Sequence, residues 1–534
     1  VISGTQAVRT PTDYFRYEIA VIDASKSNTD SLQTPGGNRS ASLIAAEDHA
    51  FLMEDQWIAP LPEVQEASEG AAPDELIVYY LDMVPFRKDA RDPASSLPRE
   101  DVPDYVGTEL VPRMVEAFRV QTDDWDFPWY RAWTSYRPGE DAERLSVALS
   151  DGRTWFHGRA PLRGNSAISL KVAGGHGHYD TLTDGLMSTF HHEVFHNLQR
   201  NINQNSGGDG IIDGAEHAWK FFSEGTAVLA SSVGQPHLQF TWFERAYIAE
   251  ANRFIGYSTL FTDLNRSYER LFPYHAAVYW RFLYERCGRT KEGSLDAAAG
   301  MRVIQRVLTI LYSGDVVDIS TSTDLIGALP EIMDRALSGS PCPFDTHAES
   351  LAAFSRAVYA LRLKDGRCAA AGVPAGCGFY DPHNLYYDPP VSKVTYSGAD
   401  QLHAGEIPSS FGVDFVEVIL HPPADGQPLT LVFHAAPGSA AEFSVQVWEL
   451  KDPGESRRPR PVSTEEAGPR ILETTSPGAQ LSHVIPAIDI AESDMLGLVI
   501  TRVDANERLD PVGEYTIALR LAESDPSLTA VYGP

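Results

Sequence analysis

No stretch of this sequence restricts its fold as severely as Phe190-His191-His192-Glu193-Val194-Phe195-His196-Asn197-Leu198-Gln199. Phe190, Val194, Phe195 and Leu198 recur at helical spacing, so the segment is read as part of a helix over about residues 185–203 with one apolar side for packing. His192 and His196, four apart, then project from a common face one turn apart, the separation two imidazoles need to grip a single tetrahedral zinc ion. Glu193 lies about 100° round the helix from His192. It is badly placed to join them as a ligand, yet it borders the same face and can serve as general base toward a water on the metal. A zinc ion that activates water needs three protein ligands and one open position, so a second element must bring one more side chain to this face.

That side chain is sought in Trp219-Lys220-Phe221-Phe222-Ser223-Glu224-Gly225-Thr226-Ala227-Val228-Leu229-Ala230, part of a helix expected over about residues 215–232. Glu224 is a carboxylate in otherwise apolar surroundings, which is costly without a charge partner, and a bound cation is such a partner. Gly225 and Ala227 beside it allow two helices to approach closely. Glu216, in Asp213-Gly214-Ala215-Glu216-His217, is the alternative ligand, or an outer partner of the site. It sits at a polar helix start, where a carboxylate is expected anyway, and Glu224 is therefore preferred. Asp180 with Asp184, and Asp209 with Asp213, are the acidic pairs from which a calcium site could be built, against the commoner reading of solvated loop carboxylates.

Charge narrows the partners. The 534 residues carry 43 Lys and Arg against 73 Asp and Glu, a formal net charge of −30, which repels phosphate backbones and anionic lipid headgroups. Nucleic acid is not expected as a partner. No run approaches the roughly 18 consecutive apolar residues of a membrane span, and Val1-Ile2-Ser3-Gly4 carries neither part of a secretion signal. A soluble, already processed chain is expected, with its acidity leaning towards an extracellular location. Of the four cysteines, Cys287, Cys342, Cys368 and Cys377, none forms a Cys-x-x-Cys, so a thiolate zinc site is not expected. Cys368 and Cys377 close a short Gly-, Ala- and Pro-containing loop and are the candidate disulfide, the alternative being two inert thiols.

Hydrophobic residues make up 43% of the chain, enough to bury sizeable cores. Residues 1–100 read as a β-rich region, with short apolar runs at Tyr17–Ile22 and Glu75–Tyr80. Residues 101–388 read as mostly helical. Leu110, Met114, Val115 and Phe118 mark a first helix, Trp125, Trp129 and Trp133 lie in a loop, and strands at Leu145–Leu149 and Ile168–Val172 precede the glycine-rich Gly174–His178. Helices follow at about 185–203, 215–232, 240–251, 274–286, 297–312, 325–337 and 348–363. After the linker-like Tyr386-Tyr387-Asp388-Pro389-Pro390, residues 389–534 offer strands at Phe415–Leu420, Leu429–His434, Phe443–Leu450, Met495–Thr501 and Glu514–Leu521, the spacing of a sandwich. The expected class is a multidomain α+β chain with a β-rich N-terminal region, a mostly helical central domain with a small edge sheet, and a C-terminal β-sandwich.

His192-Glu193-x-x-His196 followed by Ser223-Glu224-Gly225-Thr226-Ala227 resembles the gluzincin zinc peptidases, whose aminopeptidase-N-like members carry His-Glu-x-x-His and then an Asn-Glu-Gly-Phe-Ala helix with the third ligand. Phe272-Pro273-Tyr274-His275-Ala276 resembles the Pro-Tyr-Glu-Lys-Gly helix start of the same family, where a tyrosine hydroxyl stabilises the oxyanion of the tetrahedral intermediate. The resemblance implies a zincin-type central domain, zinc held by His192, His196 and Glu224, Glu193 as base, and Tyr274 as oxyanion donor. His275 and the histidines of Gly174–His178 are the alternative donors, and helix packing is the alternative role for Tyr274. Two departures qualify the match, which spans about residues 168–338. The interval between His196 and Glu224 is longer than in the aminopeptidases, so a loop around residues 203–214 must be inserted. The Gly-x-Met-Glu-Asn segment that binds a free amino end is missing, and Gly174–His178 stands in its place.

The expected activity is therefore zinc-dependent hydrolysis of internal peptide bonds in a peptide or protein substrate. Two other classes compete with it. One is a secreted binding or adhesion module with a degenerate zinc site, whose sandwich attaches to glycan or protein; an intact Glu193 argues against it, since a structural site has no use for a base. The other is a zinc hydrolase acting on a non-peptide bond of a cell-surface polymer.

Overall fold

The computed structural model describes residues 55–60, 75–80, 86, 95–127, 144–150, 158–159, 167–172, 181–205, 216–235, 272–290, 294–313, 322–363, 386, 388–396, 401–407, 410–420, 429–436, 439–451, 460–461, 470–473, 480–485, 495–505 and 513–521. The chain divides into two compact units, residues 1–211 with 226–241, and residues 212–225 with 242–534. The architecture is α+β, and no described helix is long and apolar enough to cross a membrane.

In the first unit five strands make one sheet: β1 (Asp55–Pro60), β2 (Glu75–Tyr80), β3 (Arg144–Ser150), β4 (Gly158–Arg159) and β5 (Ala167–Lys171), in the order β1-β2-β3-β5-β4. β2, β3 and β5 are parallel, with β1 and β4 antiparallel at the two edges. Leu76 and Val78, Leu145, Val147 and Leu149, and Ile168 and Leu170 are all buried, the period of two that a strand needs to load one face with apolar groups. Among the described residues, α1 (Val111–Arg119) touches this sheet at β1 and α2 (Leu182–Asn205) at β4 and β5.

Leu110, Met114 and Phe118 are buried at the spacing expected, while Val115 is half-buried. The helix itself is less regular than its sequence, because α1 is the middle of a longer run interrupted by π-helical segments at Val106–Leu110 and Val120–Asp124. A π turn widens the helix by one residue and rotates the face that follows. Through the second one, Gln121 and Thr122 are buried where solvent exposure would be the default. Trp125 closes the run as a core residue, and Trp129 and Trp133 lie outside the described residues.

Helix α3 (Glu216–Val233) carries the division between the units. The second unit continues with a short helical turn, Phe272–His275, and then α4 (Ala277–Cys287), α5 (Ala297–Tyr312), α6 (Ser322–Leu337) and α7 (His347–Ala360). α5 packs on α4 and α6, and α7 packs on α6 and α4. Every residue of α4 except Arg286 is buried, which is possible for Arg281 and Glu285 because they pair with each other at 3.1 Å. α5 starts where its N-cap demands, Asp296 accepting from the Ala299 N–H, and α7 opens on a capping box between Thr346 and Glu349.

A disulfide joins Cys287, at the end of α4, to Cys342 in the turn before α7. This pairing was not expected. Its partners are 55 residues apart and carry no local signal, whereas the expected partners Cys368 and Cys377 lie outside the described residues.

The C-terminal strands are β6 (Ser392–Tyr396), β7 (Gln401–Ile407), β8 (Val413–Leu420), β9 (Leu429–Ala435), β10 (Phe443–Lys451), β11 (Arg460–Pro461), β12 (Arg470–Glu473), β13 (Gln480–Ile485), β14 (Met495–Arg502) and β15 (Gly513–Leu521). They form a six-stranded sheet, β11-β10-β14-β8-β6 with β12 also on β10, and a four-stranded sheet, β13-β9-β15-β7. The core between them includes Val416, Val418, Leu431, Phe433, Val445, Leu498, Ile500 and Ile517. All eight residues of β14 are buried, so the strand reads as a continuous apolar run instead of an alternation. The second face is covered by α7: Tyr359 packs on Phe415 and Trp448, Gln446 donates to the Ala352 carbonyl, and Arg362 pairs bidentately with the fully buried Glu417. The stretch 389–534, expected as a separate accessory domain, shares its compact unit with α4–α7.

Candidate metal centre

The two histidines stand on α2 as their spacing requires. His192 and His196 are half-buried, their ring centroids are 4.6 Å apart and their Nε2 atoms 3.0 Å apart. One ligand atom from each of His192, His196 and Glu224 lies within 4.8 Å of the others, and among the described residues this is the one such group. Glu216 opens α3 eight positions earlier, roughly 12 Å along a helix of 1.5 Å rise. Glu193 is buried beside the ligands.

Two imidazoles on one tetrahedral centre at about 2.0–2.1 Å stand roughly 3.3 Å apart, so 3.0 Å is within a few tenths of an ångström of that arrangement. Two neutral nitrogens and a carboxylate make a donor set for a borderline divalent ion. The residues fit a metal of the zinc kind, and three protein donors leave a tetrahedral position for solvent or substrate.

Several contacts set this geometry. Gln199 Oε1 lies 2.8 Å from His196 Nδ1, and Gln199 Nε2 donates to Thr226 Oγ1 on α3 at 2.6 Å. From the π turn, Gln121 Nε2 donates to the His191 carbonyl at 2.9 Å and lies 3.1 Å from His191 Nδ1. Burial presses the His191 imidazole down to about 4, which keeps it neutral next to the ligands. A Cβ on Gly234, just past α3, would come within 2.5 Å of that ring, so glycine permits the close approach of α3's end to α2. On the other half of α3, a Cβ on Gly225 would meet Trp280 Nε1 at 2.8 Å, and Trp280 donates to the Phe221 carbonyl. Gly225, beside Glu224, thus performs the close packing expected of it.

Sequence reasoning missed Gln121 and Gln199. For Gln199 a signal existed, since it sits one turn after His196. For Gln121 none did, because the π turn is not written in any residue pattern.

Tyr274 lies half-buried on the helical turn Phe272–His275. His275 is buried, and burial carries its imidazole down to about 3. Asp184, one of the calcium candidates, stands 3.8 Å from Arg113. Asp180, Asp209, Asp213 and the loop 174–178 are outside the described residues.

No protein-family profile and no curated protein matches the chain. Among solved structures, it is similar over 24% of its length to a periplasmic inhibitor of g-type lysozyme from Aeromonas hydrophila, at 15% identity, 96% coverage of that chain and a TM-score of 0.15. The pre-peptidase C-terminal domain of a Bacillus anthracis collagenase matches 24% of this chain and 95% of its own at 8% identity and a TM-score of 0.13. CorA, a surface-associated copper-binding protein of Methylomicrobium album, matches 24% and 98% at 9% identity and a TM-score of 0.16. Likenesses of this size carry no functional argument.

Proposed function

We propose that the protein is an extracellular zinc-dependent endopeptidase of the gluzincin kind. The observation that carries the proposal is the convergence of His192, His196 and Glu224, with Glu193 buried alongside. His192 and His196 would hold the ion as neutral ligands and Glu224 as the anionic one. Zinc, when bound, supplies a Lewis acid that polarises a scissile carbonyl and makes water a nucleophile near neutral pH.

The chain's own residues do the rest. Glu193 accepts a proton from the attacking water and returns it to the departing amine. Tyr274 donates a hydrogen bond to the oxyanion, a contribution on the order of a few kcal/mol for a donor aimed at developing charge. Export is supported by the Cys287–Cys342 disulfide, a bond that persists in oxidising compartments.

The test is metal analysis of the purified protein combined with digestion of an unfolded generic protein, with and without a chelator. Stoichiometric zinc and chelator-sensitive cleavage at internal bonds are expected. Zinc uptake without any peptide cleavage would shift the reading to a non-peptide bond.

A further inference from the structure

We infer that Gln199 is a positioning residue that selects the metal-binding tautomer of His196 and ties it to the helix carrying Glu224; the inference rests on the metal reading of the site above. An amide oxygen only accepts hydrogen bonds, so Gln199 Oε1 at 2.8 Å from His196 Nδ1 requires the ring proton to sit on Nδ1. The lone pair is then on Nε2, the nitrogen that faces His192 Nε2 at 3.0 Å and belongs to the cluster with Glu224.

The reversed amide would donate to Nδ1, force the ring proton onto Nε2 and leave that nitrogen unable to bind a cation. With its oxygen engaged by the Nδ1 proton, the amide turns its nitrogen towards α3, where the Thr226 hydroxyl can accept. Gln199 Nε2 donates to Thr226 Oγ1 at 2.6 Å, and both side chains are buried. Burying a whole amide is costly unless both halves find partners, so the pair of bonds is favoured as a unit. Thr226 lies two residues after Glu224 on α3. One side chain therefore fixes the ring of a ligand on α2 and the placement of α3, the helix that supplies the third ligand. Groups behind a metal-bound imidazole commonly contribute ten- to a hundredfold in affinity.

The test measures Zn2+ affinity of the full chain by competition with a chromophoric chelator, together with the visible absorption of the Co2+-loaded protein. Gln199→Leu removes both bonds and is expected to weaken Zn2+ binding by about 10–100-fold and to alter the Co2+ bands. Gln199→Glu can only accept at Nδ1, preserves the tautomer, and is expected to recover affinity to within about threefold of wild type. Thr226→Val, near-isosteric but without the acceptor, should lose affinity severalfold, with a lower melting temperature because the buried Gln199 N–H loses its partner. Wild-type affinity in Gln199→Leu or in Thr226→Val overturns the inference. So does a loss in Gln199→Leu that Gln199→Glu shares in full, since packing and not the proton acceptor would then be responsible. A wild-type chain that binds neither Zn2+ nor Co2+ sinks the metal reading itself and this inference with it.

Discussion

On the metallopeptidase reading proposed above, His192, Glu193 and His196 divide labour by angle round one helix, and the division predicts an asymmetry between variants. Glu193→Gln keeps the ligand set, so metal content is expected to stay stoichiometric while turnover falls by about 10²–10⁴-fold, the usual worth of a positioned general base. His196→Ala removes a ligand, and metal content measured after dialysis is expected to collapse together with activity. Equal metal content and equal activity in both variants would defeat the assignment. Gly225 makes a different kind of prediction. A methyl group there would stand 2.8 Å from Trp280 Nε1, whose ring is held by its hydrogen bond to the Phe221 carbonyl. Gly225→Ala is expected to cost about 1–3 kcal/mol as overpacking, read as a lower denaturant midpoint, in spite of alanine's better helix propensity. The pairing of His192 with His196 was legible in the sequence because four-residue spacing puts two side chains on one helix face. Gln121 was not, because its inward direction comes from a π turn that no residue pattern marks.

Helices α5 and α6 end where their apolar periods end, and α5 begins at its Asp296 cap. Their registers could be read because a surface-facing helix displays its buried stripe. α4 shows no such stripe, being enclosed by α5, α7 and the first half of α3, and its aromatic density alone marked it. Helix α7 predicts a pH effect. Its first residue, His347, is buried against Phe411, lies 3.5 Å from the Tyr279 hydroxyl, and its imidazole is carried down to about 3 by burial. The folded protein therefore excludes a proton that the unfolded chain takes up near the ordinary histidine value of about 6.5. Stability from this residue is present in full above pH 6.5 and is lost as pH falls towards 3. Chemical unfolding across that window should show a midpoint dropping with acid. His347→Gln is expected to flatten the slope by up to about 1.4 kcal/mol per pH unit, and an unchanged slope would show that the ring is protonated without unfolding.

The C-terminal strands are more than an appendage to the helices. Glu417 and Gln446 on the six-stranded sheet reach α7 and its exit, Tyr359 lies against β8 and β10, and a side chain on Gly497 would collide with its hydroxyl. Ending the chain at residue 388 would strip α7 of one packed face and leave Arg362 without its carboxylate partner. Such a truncation is expected to lose cooperative unfolding and to bind a hydrophobic dye, whereas a separable accessory domain would leave a protein with one sharp transition. The linker composition at Tyr386–Pro390 suggested separability because proline, tyrosine and aspartate in sequence mark an irregular segment. They carry no information about whether the faces on either side are apolar towards each other.

The motif helices, the β-rich C-terminus and the placing of His192 and His196 on one helix face could all be read from residue order, since each depends on periodicities of two or 3.6 residues within one segment. The Cys287–Cys342 bond, the amide behind His196 and the burial of both faces of β14 could not. Each of these depends on which distant surfaces meet, and that is set by close packing at contacts such as Gly225 on Trp280 and Tyr359 on Gly497, where removing one side-chain carbon permits the approach.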